Sequence, residues 1–192
     1  MSPILGIYAS QISGHLWAPS GAYDSIATVN VGAGGASTIT FSSIPSTYTH
    51  LQIRMIQRDN QASVADGARL TFNSDTGSNY AYHILRGDGS TAQAYSGASQ
   101  TNILLTFDLA GNTAGANVFG AAVIDILDYA NTNKYKTVRS LSGRDNNGDG
   151  GVALDSGLWQ STSAVNTINI FPQIGSSINE YSQFALYGIK GA

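Results

Sequence analysis

The chain reads as all-β: a single β-sandwich of jelly-roll type with an extended N-terminal arm. Three observations predict this. Charged residues make up only 11% of the 192, with Glu180 the sole glutamate and Lys134, Lys136 and Lys190 the only lysines, so residues that favour helices are scarce. Thr, Val, Ile and Tyr suit strands, while 22 glycines and many Asn supply turns. From Tyr23 onward, period-2 segments recur about every 8 to 15 residues with turn residues between them, the pattern of a sandwich or barrel.

Residues 1–21 differ from the rest. Pro3, Ile4, Leu5, Ile7, Tyr8, Ile12, Leu16 and Trp17 lie among Ser and Gly with no period of 2 or 3.6. Disorder goes with low hydrophobicity and high charge, so an uncharged apolar arm is expected to dock, either on its own domain or on a partner or neighbouring subunit. Those eight residues are the candidate partner-binding set.

Residues 22–192 form the expected sandwich domain. "SIATVNV" runs through "GAGGAS" into "STITF", which predicts a hairpin with a Gly-rich loop. In "YTHLQIRMIQ", Leu51, Ile53 and Met55 share a core face, and His50, Gln52 and Arg54 share a wet one. Further strands are expected at "ARLTF", "YAYHIL", "NILLTFDL", "VFGAAVIDILDY", "KYKTVRSLSG", "VALDSGLWQ", "NTINIFP" and "YSQFALYGI", with turns at "NSDTGSN", "GDGS", "ANTN" and "GSSIN". No internal repeat or linker divides the chain. One domain of this size buries roughly 70% of the surface it would expose unfolded.

Composition excludes several function classes. The net charge of -3 and the absence of Lys or Arg before Arg54 leave no basic surface, so nucleic acid is not an expected partner. With no cysteine there is no disulfide, thiolate metal site or cysteine nucleophile. The N-terminus lacks the basic and apolar regions of a signal peptide, and no run approaches ~18 apolar residues, so neither secretion nor membrane insertion is expected.

The chemical motifs are weak. In "RDNNGDGG", Asp145, Asn147, Asp149 and Gly150 match the first half of a calcium loop, but Ser156 stands where a bidentate Glu is needed, and the flanks alternate like strands. A hairpin tip is expected there; the rival is a weak calcium site of Asp145, Asn147, Asp149 and Asp155. The G-x-G-x-x-A from Gly148 to Ala153 opens a strand, so it offers no phosphate-binding helix. His15, His50 and His83 have no metal-ligand spacing, and G-x-S-x-G is absent. Asp125 and Asp128 are the one carboxylate pair considered for glycoside hydrolysis, in an apolar setting that argues against catalysis. Tyr80, Tyr82, Tyr95, Trp159 and Tyr181 are the aromatic residues considered for stacking on sugars, against the plainer role of filling sheet faces. No enzyme, cofactor or metal is expected.

Two phrases carry a resemblance. "SPILGIYASQISG" followed by "YDSIATVNVGAGGASTITFSSIPSTYTHLQIR", and the close "GLWQSTSAVNTINIFPQIGSSINEYSQFALYGIKGA", resemble tailed-bacteriophage virion structural proteins. The resemblance implies a β-sandwich of the kind shared by capsid decoration (cement) proteins and fibres, commonly homotrimeric, located on the virion. The implied partners are the major capsid protein or other virion proteins and further copies of the chain. A cement role is the leading expectation and a tail-fibre or receptor-binding domain for host surface glycans the alternative.

Overall fold

The computed structural model describes residues 22–191. The alternation becomes twelve strands: β1 Tyr23–Asn30, β2 Ile39–Phe41, β3 His50–Gln57, β4 Ala65–Phe72, β5 Tyr80–Gly87, β6 Ala92–Gln100, β7 Ile103–Ala110, β8 Gly120–Leu127, β9 Lys136–Asp145, β10 Gly150–Trp159, β11 Ile168–Pro172 and β12 Gln183–Ile189. They form two sheets packed as a sandwich. One has eight strands in the order β1-β12-β3-β8-β9-β10-β5-β6, the other four in the order β2-β11-β4-β7. Every strand pair within the sheets is antiparallel. The all-β sandwich is therefore as expected.

The core lies between the sheets. Leu51, Ile53 and Met55 of β3 point inward as the alternation requires, joined by Ile124 and Ile126 of β8 and by Phe184 and Leu186 of β12. Opposite them stand Ile39, Phe41, Leu70, Phe72, Ile168 and Ile170 from the smaller sheet. Burying such side chains contributes roughly 25 cal/mol per Å² of apolar area and is the main favourable term here. A second, smaller cluster of Ile84, Leu104 and Ala153 lies where β7 packs beneath β5 and β10.

Three expectations change. "SIATVNV" and "STITF" do not form a hairpin: β1 pairs with β12 and β2 with β11, in opposite sheets. Loop residue Ala36 bridges Ile178 as the chain crosses over, and Ile39 and Phe41 then bury themselves from the far side. The strand β6, "AQAYSGASQ", had no apolar alternation to announce it; it is an edge strand held by its ladder to β5. Gln52 is buried although it lies on the outer face, because its amide donates to Asp125 at 2.8 Å and its carbonyl accepts from Arg54 Nε at 3.0 Å.

Part of the interior is polar. Asp108 is fully buried and accepts Arg86 Nε at 2.7 Å and Nη2 at 2.9 Å, a two-pronged pair that satisfies both carboxylate oxygens. Lys136 is also fully buried, and its ammonium donates to the backbone carbonyls of Asn131 at 2.6 Å, Lys134 at 2.8 Å and Thr162 at 3.3 Å. These bonds fasten two loops at one end of the sandwich. At the other end the Arg58 guanidinium caps the loop after β7 by donating to the carbonyls of Asn112, Ala114, Gly115 and Val118.

Candidate functional site

The candidate arm, Pro3, Ile4, Leu5, Ile7, Tyr8, Ile12, Leu16 and Trp17, lies outside the described residues. The feature that stands out within them is the outer face of the eight-stranded sheet. Strand alternation turns Leu85, Leu141, Leu154 and Val152 outward with 55–57% of each exposed, and Val123 and Ile56 with about 40%. They are scattered in sequence over five strands, but ladder register gathers them. Leu85 is paired with Leu154, Leu154 with Leu141, and Leu141 with Val123, a continuous row across β5, β10, β9 and β8.

The next row toward the hairpin ends holds Gly87, Val152, Gly143, Ala121 and Ile56, again as successive cross-strand partners. Its small residues leave two hollows. One of about 460 Å³ is lined by Ala121, Val123, Leu141, Gly143 and Val152, with Arg54 at its edge. The other, of about 290 Å³, is lined by Leu85, Gly87, Ala92, Val152 and Leu154. The row on the opposite side of the leucines is polar: His83, Ser156, Arg139 and Asp125. Ridge, trough and charged margin together make an apolar surface with a polar rim, the anatomy of a protein interface.

"RDNNGDGG" is a hairpin tip. β9 ends at Asp145 paired with Gly150, and Asn146 N–H donates to the Asp149 carbonyl at 2.8 Å. The two residues left over, Asn147 and Gly148, have φ of 54° and 107°. Positive φ at both centres is what a two-residue hairpin loop requires, and Asn-Gly supplies it at least cost. Asp145 Oδ1 accepts the Asn147 N–H at 2.9 Å and Asp149 pairs with Arg144 at 3.3 Å, so both carboxylates serve the turn. Asp155, the fourth candidate calcium ligand, is buried inside the sandwich against Ser140 and takes no part in the tip. Among the described residues no three His, Cys, Asp or Glu side chains are grouped to hold a metal ion.

The other candidate groups are dispersed. Asp125 is engaged by Gln52. Asp128 is held by Lys134 at 2.7 Å, whose ammonium keeps its carboxyl below the usual range. His50 Nδ1 accepts the Asp128 backbone N–H at 3.0 Å, and His83 points outward from β5. His15 lies outside the described residues. Of the five aromatic residues considered for sugar stacking, Tyr80 and Trp159 are core: Trp159 packs on Phe72 and Tyr80, and its Nε1 donates to Asp75 at 2.7 Å. Tyr95 leans on Phe107, and only Tyr181 is largely free, at 77% exposed.

Sequence reasoning missed the buried carboxyls. Asp59 is fully buried and its pKa is pushed up to about 7, chiefly by loss of water and further by the neighbouring Asp66 carboxylate. Asp66 Oδ2 accepts the N–H groups of Ile174 at 3.1 Å and Gly175 at 2.9 Å, tying the loop before β12 to β4. Burial likewise raises Asp155 to about 7. No signal in the sequence marks these aspartates, because their environment is made by strands far apart in the chain.

Comparison with family models, with curated proteins and with solved structures returns no match.

Proposed function

We propose that the chain is a non-enzymatic structural protein of a bacteriophage virion, a capsid decoration (cement) protein that binds and stabilises the head shell. The segment from Pro3 to Trp17 attaches it, and the sandwich forms the body between neighbouring subunits. The observation that carries this reading is the apolar row Leu85, Leu154, Leu141 and Val123 on the outer face of the large sheet, where a chain working alone gains nothing by exposing it. The partners are then other virion proteins, the major capsid protein first, and further copies of the chain.

The topology supports the jelly-roll form of this reading. The order β1-β12-β3-β8 faces β2-β11-β4-β7, and the chain crosses between sheets at β1 to β2, β2 to β3, β3 to β4, β4 to β5, β6 to β7, β7 to β8, β10 to β11 and β11 to β12. We read this order as two interleaved Greek keys, with the hairpins β5-β6 and β9-β10 widening one sheet. An apolar arm laid along a groove of the shell adds stability at roughly 25 cal/mol per Å² buried.

Deleting residues 2–17 tests the attachment. The expected result is a folded sandwich, with a melting midpoint shifted by only about 2 to 4 °C per kcal/mol lost, that no longer binds particles lacking the protein. Decoration by the truncated chain as good as that by the intact one overturns the attachment role.

A tail-fibre or glycan-binding domain is the second reading. It rests on Tyr23 and Tyr187, set edge to face at 6.5 Å with the Arg54 guanidinium 5.8 Å from each ring, on the outer face of the same sheet. Counting copies per virion separates the two: hundreds for a cement protein, a handful for a fibre.

A further inference from the structure

We propose that the outer face of the eight-stranded sheet pairs with the same face of a second copy, about a two-fold axis running across the strands at the level of Ser142. The argument starts from size. On β5, β9 and β8 the outward positions two residues apart are a large and a small side chain: Leu85 with Gly87, Leu141 with Gly143, Val123 with Ala121. Ladder register puts the large ones in one row and the small ones in the next.

A two-fold axis in the plane of the face, between those rows, lays each row over the other row of the second copy. Leu141 then enters the hollow over Gly143 of the second copy, and Leu85 the hollow over Gly87, the spaces of about 460 and 290 Å³ described above. On β10 the two positions are Leu154 and Val152, and they meet as a plain apolar contact.

Charge follows the same operation. Arg139 and Asp145 are exposed on the outer face of β9, each three positions from Ser142 on opposite sides. The axis that matches ridge to trough therefore sets Arg139 of each copy over Asp145 of the other, so the ion pair forms twice. Neither residue has an ion-pair partner among the described residues. The six exposed apolar residues offer on the order of 500 Å², an apolar centre for the roughly 800 Å² that each partner contributes to a stable interface. Arg54, His83, Asp125, Arg139 and Asp145 supply the rim. Neither an uncharged arm nor a generic apolar surface makes use of the matched charges, which is why the occupant is a second copy.

Light scattering on the full chain tests this. The expected mass is twice 20.0 kDa, with Leu141→Arg reducing it to 20.0 kDa while the far-ultraviolet strand signal is unchanged. Arg139→Asp and Asp145→Arg each weaken pairing about tenfold through like charges, and the double reversal restores it. A monomer at high micromolar concentration, a trimer, a pair indifferent to Leu141→Arg, or a double reversal no tighter than the single ones overturns the proposal. The pairing covers the same apolar row on which the virion reading rests, but particle binding and solution mass are separate measurements, so the failure of one is told apart from the failure of the other.

Discussion

Ser140 Oγ lies 2.8 Å from Asp155 Oδ2 and 2.9 Å from the Leu105 carbonyl oxygen, in the closed interior between β9, β10 and β7. A hydroxyl has one proton and a carbonyl can only accept. If Ser140 donates to Leu105, the second bond needs its proton from Asp155. Burial, which pushes the Asp155 pKa up to about 7, makes that proton available.

Stability should therefore fall as pH rises from about 4 to about 7. Asp59 and Asp155 lose their protons near 3.8 when unfolded and near 7 when folded, so across that window folding takes up protons and is favoured by acid. The contribution is complete below pH 4 and gone above 7. Asp75 and Asp128, held low by Trp159 and Lys134 respectively, act oppositely and only at the acid end. Urea unfolding from pH 4.5 to 8 should show the decline, and Asp155→Asn should make it shallower. A flat profile in the wild-type protein contradicts the assignment.

Breaking the Arg86 and Asp108 pair from one side should be costly. Arg86→Ala strands the fully buried Asp108 carboxylate, at about 3 to 5 kcal/mol, which lowers the melting midpoint by on the order of 10 °C; Asp108→Ala costs less, because Arg86 keeps Gln93 at 2.9 Å and Asp88 at 3.9 Å. Replacing both residues by apolar ones of similar volume should recover most of the loss. A single replacement that melts with the wild type would show that water reaches the pair.

Gly151 should not tolerate a side chain. A Cβ there would lie 2.2 Å from Asp108 Oδ1, inside contact distance of the same ion pair. Gly151→Ala is expected to destabilise by about 1 to 3 kcal/mol, as overpacking does, measured by denaturant midpoint at unchanged slope.

Calcium should leave the melting midpoint where it is, within about 1 °C, since binding to the folded state alone raises stability by mass action. Asp145 Oδ1 accepts the Asn147 N–H and Asp149 Oδ2 pairs with Arg144, so neither carboxylate is arranged with the other around a common point. Gly148→Ala should instead cost about 1 kcal/mol, because φ of 107° suits glycine and strains any other residue. A calcium-dependent rise that disappears in Asp145→Ala defeats this reading.

Local chemistry made much of the fold legible. Scarce Glu and Lys, period-2 alternation and Gly-rich turns announced an all-β sandwich, the inward set Leu51, Ile53 and Met55, and the Asn147-Gly148 turn, because each depends on residues within a few positions of one another. Tertiary structure decided the rest. It parted β1 and β2 into opposite sheets, since their best partners, β12 and β11, lie at the far end of the chain. It kept β6 as a strand through pairing alone, and it buried Tyr80 and Trp159, which alternation by itself leaves free to face either way. Above all it assembled the outer row. Leu85, Val123, Leu141 and Leu154 each satisfy their own strand's period, but only ladder register across four strands makes them neighbours, and register is a long-range property that no single strand carries.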